Sequence, residues 1–201
     1  MDQDEAPRRR TGGRSARVRE AVLAAALAQV ADHGFEGLRI AEVAARAGVA
    51  ESTVYRRWPT PAALVADAVT ELAAQGNPVP DTGDLRADLL QAARQIVALL
   101  ERPAMTRLVG TTLAMSHDAE VDAARIRFWD ERFARTALLI EKATARGEIP
   151  GGTDPRDVLE TMAAPIYFRV LVGGAPPDDA FVTRCVDDAL ALIAARTSRE
   201  A

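Results

Sequence analysis

Apolar residues recur at three- and four-residue spacing along most of the chain, the mark of amphipathic helices rather than strands. Val22, Leu23, Ala26, Leu27 and Val30 form one stripe, which predicts a first helix over residues 15–33, ending at His33. Gly34 stands where a left-handed cap belongs, and Phe35 supplies the apolar contact that often follows it. Ile40, Val43, Ala44 and Ala47 repeat at i, i+3, i+4 and i+7, so a second helix should span residues 40–47 and stop at Gly48. In the stretch AGVAESTVYRRWPT that begins at Ala47, 100° per residue sends Val54 and Trp58 to one side. Ser52, Tyr55 and Arg56 go to the other, with Thr53 and Arg57 on the flanks. A helix of two turns is unstable alone, so its valine and tryptophan must be held by the first two helices while its polar face looks outward. Thr60-Pro61 reads as a cap and first residue of a fourth helix, reaching residue 75.

The stretch GNPVPDTG, residues 76–83, is the expected domain boundary, because prolines and glycines interrupt the helical pattern there. Further periodic segments follow over residues 84–102, 103–115 and 118–146, then a break at GEIPGGTD. Asp154-Pro155 starts another helix to about residue 172, and a last one should run over 178–196. No strand signal and no internal repeat emerges. The fold expected is all-α: a basic disordered arm over 1–14, an N-terminal three-helix helix-turn-helix domain with its connecting helix over 15–75, and a larger C-terminal helical bundle over 84–197.

Composition agrees, since 48% of the 201 residues are hydrophobic but only 4% are aromatic, which favours closely packed helices. The net charge of −4 is uneven: residues 1–60 carry ten arginines against eight acids, net +2, leaving −6 for the rest. Arg8, Arg9, Arg10, Arg14, Arg17 and Arg19 follow one another with no acid between them. Such a run is either a solvated tail or a phosphate-binding arm, and a neighbouring DNA-reading helix favours the second. A single cysteine, Cys185, rules out an intrachain disulfide and fits a reducing compartment. No apolar run is long enough to span a bilayer, and no cleavage-like site follows the basic N-terminus, so a cytoplasmic protein without membrane attachment is expected.

A helix, a glycine turn and a second helix with outward polar residues can place that second helix in the DNA major groove. Thr53 offers a hydroxyl and a methyl, Tyr55 a rigid ring with a hydroxyl, and Arg56 and Arg57 can clamp phosphate or guanine. The segment over 22–69 resembles the DNA-binding domain of the tetracycline-repressor (TetR) family. Gly34-Phe35, the Ile40–Val43–Ala44 helix, Ala47-Gly48-Val49, Thr53-Val54-Tyr55, Trp58 and Leu64 carry that resemblance. It implies DNA contacts for Thr53 and Tyr55 and the turn for Gly48. Ser52, Arg56, Arg57, Thr60, Arg14 and Arg17 complete the candidate DNA-binding set. The sequence departs from the family in three places. Ala50 replaces a common serine cap, worth roughly 1 kcal/mol. Glu51 is acidic where a neutral or basic residue is usual, and Pro61 replaces a frequent lysine.

One helix reads too few bases to select a site in a genome, so two copies on a palindromic operator are expected, with reading helices roughly 34–36 Å apart. The resemblance implies a homodimer through the last two helices. Their apolar stripes, Val158, Met162, Ile166 and Val170, and Val182, Cys185, Ala189 and Ile193, could be intrachain core or interface. The interface is the preferred reading for part of each. The resemblance also implies a small-molecule effector in the C-terminal bundle. Candidate pocket residues are Met105, Leu108, Thr112, Met115, Phe128, Trp129, Phe133, Met162 and Tyr167, each of which also suits an ordinary core. His33 and His117 read as helix-end residues, and nothing groups into a metal site or calls for a cofactor. No nucleophile elbow, phosphate loop or paired carboxylates point to an enzyme. The function expected is an effector-responsive, dimeric DNA-binding regulator, most simply a repressor. A helical ligand-binding or interaction protein with weakened DNA binding is the alternative.

Overall fold

The structure, a computed structural model, describes residues 12–76, 78–114 and 119–200, without the side chains at 12, 73–76, 110–114, 120, 121, 124 and 197–200. Among these residues every regular element is an α-helix: α1 (Gly12–His33), α2 (Ile40–Ala47), α3 (Glu51–Arg57), α4 (Pro61–Gly76), α5 (Leu85–Leu100), α6 (Pro103–Ala114), α7 (Ala119–Ala145), α8 (Pro155–Leu171) and α9 (Asp179–Glu200). Local punctuation sets most of these ends. Gly48 has φ +67°, its N–H bonds Ala45 O at 3.2 Å, and the Val49 N–H bonds Ala44 O at 3.0 Å. That is a Schellman closure, open to glycine at little steric cost. Thr60 Oγ1 accepts from the Ala63 N–H at 3.2 Å, and Asp154 caps α8 through the Arg156 N–H at 2.8 Å. The first helix starts earlier than periodicity gave, at Gly12, so Arg14 is helical rather than part of a disordered arm.

Two apolar cores organise the chain. In one, Val22, Ala26 and Val30 of α1 meet Val43 of α2, Val54 of α3 and Leu64 and Ala68 of α4, with Leu108 of α6 packed in as well. The other gathers α5, α7, α8 and α9 around Leu89, Leu100, Met162, Ile166 and Val186. Between them Leu99 and Met105 pack with Val69, Leu72 and Phe128, which binds α4 to α5, α6 and α7. Arg107 adds a tie from α6 to the last turn of α1, donating to Asp32 O at 3.0 Å. The stretch before α5 is pinned by the buried Asp88, which accepts from both the N–H and the hydroxyl of Thr82 at 2.7 Å.

Candidate DNA interface and effector cavity

Beneath α3, Val54 is fully buried and Trp58 is 5% exposed, so the short helix is anchored on one side. Each side chain stabilises its seat by roughly 1.5–3 kcal/mol of apolar burial. Trp58 is also fixed in direction: its indole N–H donates to Asp67 Oδ2 of α4 at 2.9 Å. The other oxygen of Asp67 accepts from Arg19 of α1 at 2.6 Å, and Arg19 pairs with Glu71 as well. The Glu71 hydrogen bond, followed by Asp67, holds the Arg19 guanidinium above its ordinary range against the opposing effect of burial. Gln29 does the same work for α2, accepting from the Arg39 N–H and donating to Glu42, both at 3.0 Å. The end of α3 is therefore tied directly to α4, while α1 is bonded to both α4 and α2 around it.

The outer face is as the periodicity predicts. Tyr55 is 47% exposed, Ser52, Arg56 and Arg57 are exposed, and Thr53 is half-buried. Arg57 also lies over the Trp58 ring at 5.4 Å. Arg14 and Ser15 at the start of α1 border one open cleft of about 590 Å³ with Thr53, Arg56 and Arg57. Arg17 lies outside that cleft, with its Nε donating back to Gly13 O at 3.2 Å. Thr60 is half-buried and acts as the α4 cap. Ala50 gives α3 no side-chain cap, and neither does a neighbour.

Behind this unit lies a cavity of about 460 Å³, walled by α4, α6, α7 and α8. Met105, Leu108, Phe128, Trp129 and Tyr167 stand on its wall. Two candidates do not. Met162 points to the other side of α8 and is buried in the C-terminal core, while the residues one and five positions on, Ala163 and Tyr167, face the cavity. Phe133 sits a turn beyond Trp129, 6.2 Å from its ring, with the Arg156 guanidinium 3.7 Å above it. Met115 and the Thr112 side chain lie outside the described residues. Sequence reasoning missed the α4 contribution, Val65, Ala66 and Val69. The signal was available: α4 carries Leu64 and Ala68 for the core and Val65 and Val69 beside them, a stripe too wide for one neighbour.

The wall is almost wholly apolar. Arg125 and Glu160 reach it only at exposed positions, and Arg125 is bonded to Asp122. Burial pushes the Tyr167 phenol up to about 12, with the positive charge of Arg132 opposing weakly. Arg132 is buried behind the wall, 5.3 Å from the Phe128 ring, and its desolvation, then the neighbouring Arg135, pulls its pKa below the ordinary value. At the mouth, Phe168 is 66% and Val172 70% exposed.

The interface assignment needs correction. Val158, Met162, Ile166, Val182, Cys185, Ala189 and Ile193 are all buried within the single chain, and Val170 partly so. The two stripes pack on each other and on α5, so they are core, and only the partly buried Val170 keeps area for a second copy. Burial also raises the Cys185 thiol pKa. The faces of α8 and α9 that stay open carry Ala164, Phe168 and Val172, and Ala180, Arg184 and Ala191.

Fold and site together define a helix-turn-helix protein with a ligand-sized apolar cavity against the helix that supports its reading element. Residues 22–68 match the model for bacterial regulatory proteins of the tetR family, and residues 79–189 match the tetracyclin repressor-like C-terminal domain. The HTH-type transcriptional regulator AqdR of Rhodococcus erythropolis is 34% identical over 157 residues, covering 78% of this chain and 76% of that one. A DNA-binding transcriptional repressor TetR from Mycobacteroides abscessus is 32% identical over 175 residues, 86% of this chain and 92% of its own. The crystal structure of the TetR family transcription regulator SCO0332 superposes with a TM-score of 0.71 at 32% identity, over 84% of this chain and 94% of that one. The chain belongs to the TetR family of DNA-binding transcriptional regulators, which is not an enzyme family and whose members typically act as dimers. Among the described residues no helix is long and apolar enough to cross a membrane.

Proposed function

We propose that this regulator is a homodimeric repressor, held on a palindromic operator by α3 and released by a small molecule in the cavity. Support for repression comes from the relative named as a DNA-binding transcriptional repressor. The observation that carries the coupling is the double use of α4. Val65, Ala66 and Val69 border the cavity, while Asp67 and Glu71 of the same helix hold Trp58 and Arg19. An effector that fits better when α4 is displaced moves Asp67, and with it the C-terminal end of α3. Recognition helices in a dimer must keep roughly one DNA turn of separation, so that movement weakens operator binding by a coupling of about 1–3 kcal/mol.

On DNA, Tyr55 and Thr53 read base edges, with Ser52 beside them, while Arg56, Arg57, Arg14 and Arg17 neutralise phosphates. Thr60 acts by capping α4. The reading unit comprises α1 to α4, and the regulatory and dimerising unit lies within 84–197. The dimer forms on the open faces of α8 and α9, around Ala164, Phe168 and Ala191, which leaves the buried stripes to the monomer core.

Gel shift on the DNA flanking its own gene tests the reading. The protein should shift that fragment with an affinity that falls steeply with salt, and Tyr55→Ala should lose the specific shift without losing helix content. Equal binding by Tyr55→Ala would remove α3 as the reading element. Phe168→Arg should sediment as a folded monomer, whereas Val182→Arg should unfold, because it buries an unpaired charge.

A further inference from the structure

Resting on the cavity as the effector site, its wall also restricts the effector's chemistry. A cavity of about 150 Å³ takes one benzene, so 460 Å³ accommodates roughly three rings. Phe128, Trp129 and Tyr167 crowd one side. Trp129 lies 5.5 Å from Phe128 at 79° and 5.5 Å from Tyr167 at 55°, tilts that leave ring faces without a parallel neighbour. A flat guest can stack there with offset geometry. A charged guest fares badly, since among the described residues the charged ones on the wall, Arg125 and Glu160, are at exposed positions. A buried carboxylate would lose its hydration, with Arg125 engaged by Asp122 at an exposed position and Arg132 beside the Phe128 ring rather than on the wall. One polar side chain belongs to the buried part of this wall. Tyr167 lines the cavity, and among the described residues it makes no hydrogen bond. Burial keeps it protonated to about pH 12, so it is a neutral donor at any physiological pH.

We infer that the effector is an uncharged, flat aromatic compound of two or three rings, seated against Trp129 and presenting one acceptor oxygen or nitrogen to the Tyr167 hydroxyl. The bond satisfies a donor with no protein partner among the described residues and distinguishes this class from hydrocarbons of similar bulk, while the apolar wall disfavours the carboxylate of a fatty acid.

Calorimetric titration of the full chain without DNA tests this with three probes. 9-Fluorenone has three rings and one ketone, fluorene is the same skeleton with a methylene in its place, and decanoate is an aliphatic anion. Fluorenone should bind about tenfold more tightly than fluorene, and decanoate should not bind at the same concentrations. Tyr167→Phe should bring fluorenone down to the affinity of fluorene and leave fluorene unchanged, a pattern that general loss of folding would not produce. Equal affinities for the two skeletons in the unmodified protein, tighter binding of decanoate, or an intact ketone preference in Tyr167→Phe would each overturn the inference. Release from operator DNA by decanoate would sink the aromatic assignment while leaving the repressor reading standing. A missing gel shift would sink the repressor reading whatever the ketone does.

Discussion

The two faces of α4 are built to opposite specifications. Toward α1 and α3 the helix offers Leu64 and Ala68, both fully buried, and Asp67, which fixes the Trp58 indole and the Arg19 guanidinium at hydrogen-bond distance. Toward α6, α7 and α8 it lines the cavity with Val65, Ala66 and Val69, of which Val69 also packs on Leu99 and Met105. Reading DNA demands a defined angle, which directional bonds supply. Sensing demands room, which apolar walls without polar ties supply. Placing both on one helix means that a change on the roomy side is felt on the fixed side.

Paired substitutions break or sharpen this contrast. Leu64→Ala empties a filled core position and should cost about 2–5 kcal/mol in chemical denaturation. Val69→Ala enlarges an existing void and gives up part of its packing on Leu99 and Met105, and should cost about 1 kcal/mol, less than Leu64→Ala. Equal losses would mean that the two faces are packed alike. Asp67→Ala strands the Trp58 N–H and removes a partner of Arg19. Its partial exposure places the stability loss near the lower end of about 1–3 kcal/mol, and operator affinity measured by gel shift should fall further than the melting temperature implies. The smallest effect is a gain. Ala50→Ser gives α3 the cap it lacks and should add about 0.5–1 kcal/mol in thermal melts with slightly tighter DNA binding.

What the sequence disclosed follows from how local each determinant is. Helix ends at Gly34, Gly48, Thr60-Pro61 and Asp154-Pro155 depend on a few adjacent residues, and the chain folds there as its punctuation predicts. The inward Val54 and Trp58 and the outward Tyr55 and Arg56 follow from one helix period. Periodicity says that Val182, Cys185 and Ile193 are covered, but it does not say by which chain, and so the preferred reading of part of each stripe as interface misplaces core residues. The same ambiguity put Met162 and Phe133 on the cavity wall. Gln29, Asp67 and Glu71 escaped notice because a single polar residue on a helix has no pattern, and its partners lie on other elements.

The shared helix also constrains how such a protein can acquire a new inducer. Any change at Val65 or Val69 that reshapes the cavity alters the seat of Asp67 two residues away, so a variant with altered taste would inherit altered basal repression. Ala163 of α8 lines the cavity from within the C-terminal core, whereas Phe128 of α7 packs with Val69 and Leu72 and shares the link to α4. Laboratory selection for new inducers with tight repression retained should therefore collect its substitutions on α8 and leave the valines of α4 untouched.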